Sequence, residues 1–415
     1  MSIRSIVSGY CPRFTNSVVY RFLAFIYGLI VPRVNFMKPY WSRTEFFCGL
    51  FYSDRKSDRF VDMLTERFRQ KFDITGVVIP TSSGGTAFEL ALKVLKNIHP
   101  TRKRVIIPTY GCRATFDPIV NAGLVPVFAD IDKNLNISVE SVRYHMTDDV
   151  LAMLVPHLCG CKAEIEELVS IAKQKHVVVI EDVCQSLGGT DSGLFLGKRG
   201  DMTIFSFGRG KNLMATAGGM LTSNIYMEDL LNEAQKLTRE DIRIVRRRFR
   251  KIVLRDFIGF EFRIERFLMS SREYKALHPL DAKLMCVQLD KLEEVLEKRK
   301  ANAKRIIEVL RKTGLRVALQ EGEAHIYTRL SVIFEYPQDC RRLEEALHAA
   351  RVVTDDMYSP LHLKPFAAEF SSNVVLPYSE RIYKNIFNVP VRPNLSEKQL
   401  DKIVKAIGNV GGEKS

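Results

Sequence analysis

VVVIEDVCQSLGG (177–189) and GDMTIFSFGRGKNLMATAGGMLT (200–222) together decide the fold of this 415-residue chain. The first opens with a Val/Ile run of strand type and ends it in an acid, Asp182. The second carries another strand-like run, MTIFSF, and then a lysine, Lys211, in a glycine-containing turn. Short apolar runs bounded by glycines read as buried strands. Working outward, strands and helices alternate. VIIP (105–108) precedes the helical FDPIVNAG (116–123), and VPVFADI (125–131) precedes SVESVRYHM (138–146). VLAMLVPH (150–157) precedes AEIEELVSIAKQK (163–175). Such alternation predicts an α/β fold with a largely parallel sheet covered on both faces. Ligand sites of these sheets lie beyond the carboxyl ends of the strands, where Tyr110, His157, Asp182 and Lys211 all fall.

An acid at a strand end and a lysine in a tight loop are what pyridoxal phosphate chemistry requires. The amine forms a Schiff base with the cofactor aldehyde, and the acid keeps the ring nitrogen protonated so that the ring accepts electrons. A phosphate cradle stands upstream in VVIPTSSGGTAFELALKVLKNI (77–98). There a Ser/Gly turn leads into an apolar-periodic helix near Thr86, offering backbone amides and the Ser83 and Thr86 hydroxyls to an anion. GRGK (208–211) is not a nucleotide-binding P-loop, because Phe205 stands where its first glycine belongs and Asn212 replaces Ser/Thr.

Composition sets the bounds. Apolar content of 46% and charge of 27% are those of an ordinary globular protein of two domains, three at most. The eight cysteines are scattered through apolar runs and read as reduced thiols, and Cys159-Gly-Cys161 lacks zinc-site spacing; no metal site is expected. The net charge of +14 asks for an anionic partner, with no nucleic-acid-binding signature to suggest DNA or RNA. No small-residue cleavage site follows the N-terminal apolar run, so the chain is expected to be cytoplasmic. That run, SVVYRFLAFIYGLIV (17–31), spans about 22 Å as a helix, short of the roughly 30 Å hydrocarbon core. It reads as an interfacial anchor on the inner membrane face or as a helix packed on protein. The same two readings apply to the basic amphipathic stretch 242–269, whose residues 243–266 hold nine Arg or Lys against three acids.

Farther along, 57–72 reads as an amphipathic helix, and 283–312 as one long charged helix ended by Gly314. RLSVIF (329–334), a helix near 340–350, the loop YSPLHLKPF (358–366) and the helix LSEKQLDKIVKAI (395–407) suggest a smaller α+β domain. The expected division is an N-terminal extension (1–42), a large domain (43–235), a basic insertion (236–280) and a small C-terminal domain (281–415).

From about Arg43 to Ile407 the chain resembles the DegT/DnrJ/EryC1/StrS aminotransferases, the sugar aminotransferase branch of fold-type-I pyridoxal phosphate enzymes. The resemblance rests on SSGGTAFELAL, VIIPTYGCRAT, NAGLVPVFADIDKNLNIS, LVPHLCGCKAEIEELVSIA, VVVIEDVCQSLGG, GDMTIFSFGRGKNL, GGMLTSN, LMCVQLDKLEEV and FNVPVRPNLSEKQLDKIVKAI. It implies a three-layer, aspartate-aminotransferase-like large domain with a smaller α+β domain. It implies Lys211 as Schiff-base lysine and proton shuttle, Asp182 on the pyridine nitrogen, and Gln185 at the phenolic oxygen. Gly85, Thr86 and Ser206 would hold the phosphate; Tyr110 or Cys112 would cover one ring face, and His157 would sit near the pocket. Where many relatives carry Asn-x-Arg-Met, this chain has HPLDAKL (278–284), so its contacts across a dimer differ.

The expectation is therefore a homodimeric aminotransferase carrying pyridoxal 5'-phosphate, with catalytic Lys211 and Asp182. An amino acid, glutamate by expectation, donates the amine, and a keto-sugar on a nucleotide or lipid carrier accepts it. Another fold-type-I activity (lyase, dehydratase or acyl-condensing) and a catalytically silent membrane-associated homologue are the alternatives; 3-dehydration typically replaces the lysine with histidine, and Lys211 argues against it.

Overall fold

The computed structural model describes residues 34–411 apart from 37, 39, 54–57, 259–273, 321 and 357. The N-terminal apolar run and the end of the basic stretch, each read as a membrane contact or as a helix packed on protein, lie outside the described residues.

The strand-like runs form strands in the expected order. They are β1 (Val77–Thr81), β2 (Arg104–Pro108), β3 (Val125–Ala129), β4 (Val150–Pro156) and β5 (Val178–Asp182). A two-residue-per-strand hairpin, β6 (Thr190–Asp191) and β7 (Leu194–Phe195), precedes β8 (Met202–Ser206) and β9 (Gly219–Ser223). The main sheet has the order β1-β9-β8-β5-β4-β2-β3. Five neighbouring strands from β8 to β3 are parallel, and β9 runs against both β8 and β1. Because β9 is reversed, its first residue lies at the carboxyl ends of its neighbours, opposite Thr81 on one side and Ser206 on the other.

Both faces of the sheet are apolar because successive side chains point to opposite sides. Ile107 and Ile180 pack with the helix Gly84–Ile98, whereas Ile106 and Val179 pack with the helix Ile165–Gln174. The former helix starts where Ser83 Oγ accepts the Thr86 N–H at 3.0 Å. Phe88, Ala91, Leu92 and Leu95, spaced for one helical face, are all fully buried. Each large apolar side chain contributes about 1.5–3 kcal/mol on burial.

The stretch 283–312 differs from expectation. It is two helices, Pro279–Leu289 and Leu292–Leu310, broken at Asp290 and Lys291. The first is sealed in the large domain through Leu280, Leu284, Met285 and Leu289. The second leaves that cluster after Leu296 and buries Ala303, Ile306 and Leu310 in the small domain. Periodicity registers one continuous charged helix; the change of partner is a tertiary fact. The small domain itself is an antiparallel sheet, β10 (Val317–Leu319), β11 (Leu330–Phe334) and β12 (Ile386–Val389), under the helices Pro337–Ala349 and Glu397–Gly411.

The chain passes between the two bodies repeatedly. Val34 packs in the small-domain core and Trp41 in the large-domain core. Leu361, Ala367 and Leu376 return from the small domain to the large one. A boundary at 281 thus falls within a helix belonging to the large domain's packing.

The described part of the basic stretch is the helix Ile242–Ile258. Val245 and Phe249 are buried, with Phe249 stacked on Trp41 at 5.6 Å and lying over Gly49, while Arg243, Arg246, Arg247 and Arg250 are exposed. Over 242–253, Ile242, Val245, Phe249, Ile252 and Val253 pack on protein, whereas Arg243, Arg246, Arg247 and Arg250 face solvent. No described helix is long and apolar enough to cross a membrane.

Candidate active site

The carboxyl edge of the sheet brings together three groups of residues from separate loops. Asp182 closes β5; its backbone carbonyl accepts the His157 N–H at 3.1 Å, and its Oδ1 accepts the Cys184 N–H at 2.8 Å. Among the described residues no cation pairs with this carboxylate. Burial pushes the neighbouring Cys184 thiol well up, the Asp182 charge adds to that, and Lys211 opposes it.

Lys211 sits at the end of the turn Gly208–Lys211, closed by its N–H on the Gly208 carbonyl at 3.3 Å. The loop that presents it is pinned at successive points. Asn212 donates to the Leu187 carbonyl at 3.0 Å and accepts from the Thr328 hydroxyl at 3.0 Å. Trp41 Nε1 donates to the Met214 carbonyl at 2.8 Å, and buried Asp281 takes the Thr216 N–H at 2.8 Å. HPLDAKL thus anchors the lysine loop from within the same chain. Lys211 faces a narrow cleft that it shares with Asn212, Thr328, Arg299 and Arg329. Among the described residues its amine has no hydrogen bond or ion pair.

The third group is the start of the helix Gly84–Ile98. Its first N–H groups have no helical acceptor, and the Thr86 hydroxyl lies 3.0 Å from Ser83 Oγ and 3.1 Å from Ser82 Oγ. A Cβ on Gly84 would come within 2.9 Å of Cys184 Sγ and 3.2 Å of Ser206 Cβ, which places Ser206 beside the helix start. Gly219 closes the cradle from below. A Cβ there would stand 2.2 Å from the Ser83 carbonyl carbon and 2.4 Å from the Gly84 nitrogen, so only glycine lets β9 approach.

Other expected residues are placed differently from one another. Gln185 is buried; its Oε1 accepts the Cys159 N–H at 3.1 Å, and its Nε2 donates to the Tyr358 hydroxyl at 3.0 Å, with a second N–H remaining. Tyr110 is fully buried edge-on to Tyr358, ring centres 5.8 Å apart, and its hydroxyl has no partner among the described residues. Cys112 is exposed, its sulfur accepting the Ala114 N–H at 3.5 Å. Both nitrogens of the fully buried His157 are engaged, Nε2 with Glu181 at 2.9 Å and Nδ1 by the Ala163 N–H at 3.0 Å. That leaves neither ring nitrogen for a cofactor, because Glu181 and Asp182 point to opposite faces of β5. Burial would raise the Glu181 carboxyl, yet His157 and the N–H groups of Gly200 and Arg199 hold it below its ordinary range. This pair fixes the loop 197–200 and lies behind the site.

Sequence reasoning passed over Tyr358, Arg329 and Asp281. All three come from distant parts of the chain, Asp281 from the first turn of the helix Pro279–Leu289 and Arg329 from the residue before β11, and only Asp281, between Leu280 and Ala282, stood out locally as a charge among apolar neighbours.

Pyridoxal phosphate fits what is present: a carboxylate without an ion pair at a strand end, an unpaired lysine amine, and a hydroxyl-rich helix start too tight for added side chains. Among the described residues no cluster could hold a metal.

Comparison with known proteins agrees. Residues 55–408 match the DegT/DnrJ/EryC1/StrS aminotransferase family. A GDP-perosamine synthase of Vibrio cholerae is 24% identical over 360 residues, covering 85% of this chain and 90% of that protein. Helicobacter pylori PseC, an aminotransferase involved in the biosynthesis of pseudoaminic acid, superposes with a TM-score of 0.74 at 15% identity, covering 91% and 99% of the two chains. A putative sugar aminotransferase from Streptococcus pneumoniae in its PLP form gives 0.74 at 19%, covering 91% and 98%. These likenesses bear out the fold expected from the sequence.

Proposed function

The chain belongs to the DegT/DnrJ/EryC1/StrS aminotransferase family, and we propose that it moves an amino group from an amino acid, glutamate in the first instance, to a keto-sugar on a nucleotide carrier. One observation carries this reading. Asp182, Lys211 and the helix start at Ser83–Thr86 stand at one edge of the sheet: a carboxylate and an amine without an ion pair among the described residues, and first-turn N–H groups without helical acceptors. Bound pyridoxal phosphate supplies an electron sink that lets the carbon bearing the amine lose a proton.

The chain's own residues do the rest. Asp182 would hold the ring nitrogen and keep it protonated, and the second N–H of Gln185 Nε2 would be available to the phenolic oxygen. The N–H groups of Gly84 and Gly85, with Thr86 and Ser206, fix the phosphate and hence the ring's position. Lys211 Nζ would be the amine that holds the cofactor. The same amine, without an ion pair among the described residues, would carry the proton of the substrate carbon, as general base and then general acid. Fully buried Tyr110 and half-buried Tyr358, edge-on to each other, form an aromatic wall beside Gln185. The positive total charge suits a pyrophosphate-bearing acceptor, and a homodimer is the proposed assembly.

Visible absorbance of the full-length protein incubated with pyridoxal phosphate tests the reading. The expected result is a protein-bound band that is lost on addition of L-glutamate as the amine form accumulates. Lys211→Ala should abolish both the covalent attachment and that conversion. A band that persists in the lysine variant, or indifference of the wild type to every amino acid, overturns the proposal.

A further inference from the structure

We propose that the exposed aromatic ridge of the helix Arg43–Leu50, together with the arginines of the helix Ile242–Ile258 beside it, docks on an anionic lipid bilayer. This face lies outside the cofactor cradle and stands apart from the amino-donor reading.

The helix Arg43–Leu50 has two unlike sides. One is held by the protein. Glu45 is fully buried and accepts the Lys291 amine at 2.6 Å, and Gly49 lies under the Phe249 ring. On the other side Phe47, Leu50 and Phe51 are spaced three and four apart and so share one face. They are 49%, 56% and 72% exposed. The rings of Phe47 and Phe51 stack at 5.9 Å, and Phe46 stands edge-on to Phe47 at 5.5 Å. A contiguous apolar ridge of this kind marks a contact surface.

The charge around the ridge selects the partner. Phe249 brings the helix Ile242–Ile258 against Gly49, and Arg246 Nη2 donates to the Tyr52 carbonyl at 3.2 Å, which sets its guanidinium beside Phe51. Arg250 lies four residues farther along the same face, and Arg247 is exposed next to both. These three form no ion pair among the described residues, because the nearby acids are engaged elsewhere: Glu45 with Lys291, Glu240 with Arg248, Asp241 with Arg243 and Asp58 with Arg239. Uncompensated guanidinium groups flanking exposed aromatic rings match an anionic membrane interface. The rings enter the headgroup region and the cations stay with the lipid phosphates. A second copy of this chain fits poorly, since a twofold contact on this ridge sets one arginine cluster against the other. A polyanion in water would use the arginines and leave Leu50 and Phe51 unsatisfied. Trp41 stacks on Phe249 and bonds through its ring N–H to the Met214 carbonyl. Docking on this face therefore holds the loop that presents Lys211 near the lipid surface.

Flotation of the full-length protein with vesicles of phosphatidylcholine, alone or mixed with phosphatidylglycerol, is the test. The protein should float with the mixed vesicles and not with phosphatidylcholine alone, and raised salt should weaken the association. Phe47→Ser combined with Phe51→Ser should weaken partitioning by about 30-fold or more. Arg246→Gln, Arg247→Gln and Arg250→Gln together should weaken it by about 100-fold. All five positions are exposed, so both variants should bind pyridoxal phosphate with the wild-type absorbance, which certifies their folding. The docking face is refuted if both variants float within about twofold of wild type, which assigns lipid binding to another part of the chain such as 17–31. It is equally refuted if the wild type ignores anionic vesicles or binds neutral ones as well. Two further results overturn it: sedimentation showing that the phenylalanine variant splits a dimer, which makes the ridge a contact between copies, or an oligonucleotide that the wild type binds as tightly as vesicles and the arginine variant does not.

Discussion

Replacing Asp281 by asparagine should remove one specific pH dependence of stability. The side chain is 1% exposed, and its Oδ1 accepts the Thr216 N–H at 2.8 Å, the Thr216 hydroxyl at 2.6 Å and the Ala217 N–H at 3.3 Å. Arg248 stands 3.6 Å from Oδ2 but is shared with Glu240. Burial outweighs these favourable contacts and pushes the carboxyl up to about 6 from its ordinary 3.8. A carboxyl raised in the folded state binds its proton more tightly there than in the unfolded chain. Its stabilising contribution is complete below the unfolded pKa and is lost as pH rises through the folded one. The window therefore runs from about pH 4 to about pH 6, and a shift of roughly two units corresponds to about 3 kcal/mol. Asparagine keeps an acceptor for Thr216 and Ala217 and has no charge to gain, so D281N lacks this loss. Urea unfolding followed by the fluorescence of the single tryptophan, at pH 4.5, 5.5 and 7, measures the difference. The wild type should lose stability relative to the variant as pH rises. A difference that stays constant over this range, or that changes in the opposite sense, refutes the reasoning; contributions from other groups, such as Asp132, cancel between the two proteins.

Phe249→Ala should cost about 3–5 kcal/mol and alter Trp41 emission, because the ring fills the space over Gly49 and stacks on the indole; melting curves read both. Gly219→Ala should lower cofactor affinity in a protein that still folds, since its Cβ forces Ser83 and Gly84 to move; equal binding of pyridoxal phosphate by variant and wild type would count against the cradle. Tyr358→Phe should cost about 0.5–1.5 kcal/mol by removing a buried acceptor of the Gln185 amide, and should shift the absorbance of bound cofactor as Gln185 reorients.

Strand runs were legible because a sheet covered on both faces needs uninterrupted apolar residues, as in Val178–Ile180 and Leu151–Val155, and the intervening helices carry their own period. Asp182 and Lys211 could be singled out because strand ends and glycine turns leave a mark in local sequence. Three things left no such mark. The break between Leu289 and Leu292 depends on which domain each half-helix meets, and charge periodicity continues across it. The place of His157 depends on a one-residue alternation that sets Glu181 and Asp182 on opposite sides of β5. Arg299 and Arg329 read as ordinary charged positions, and only the fold brings them to one cleft with Lys211. The apolar face of the helix Ile242–Ile258 is visible in sequence, whereas its partner, the surface around Trp41 and Gly49, is not.

The repeated passage of the backbone between the two bodies makes the molecule resemble stitched cloth. Val34 is sewn to the C-terminal half, Trp41 to the N-terminal half, and Leu361–Leu376 returns to the first after the second has begun. Severing the gene at any one point therefore strands core residues on the wrong piece, and no single cut yields two self-sufficient halves. Domain shuffling among relatives must exchange at least the 34–41 and 358–376 seams together with the body they fasten.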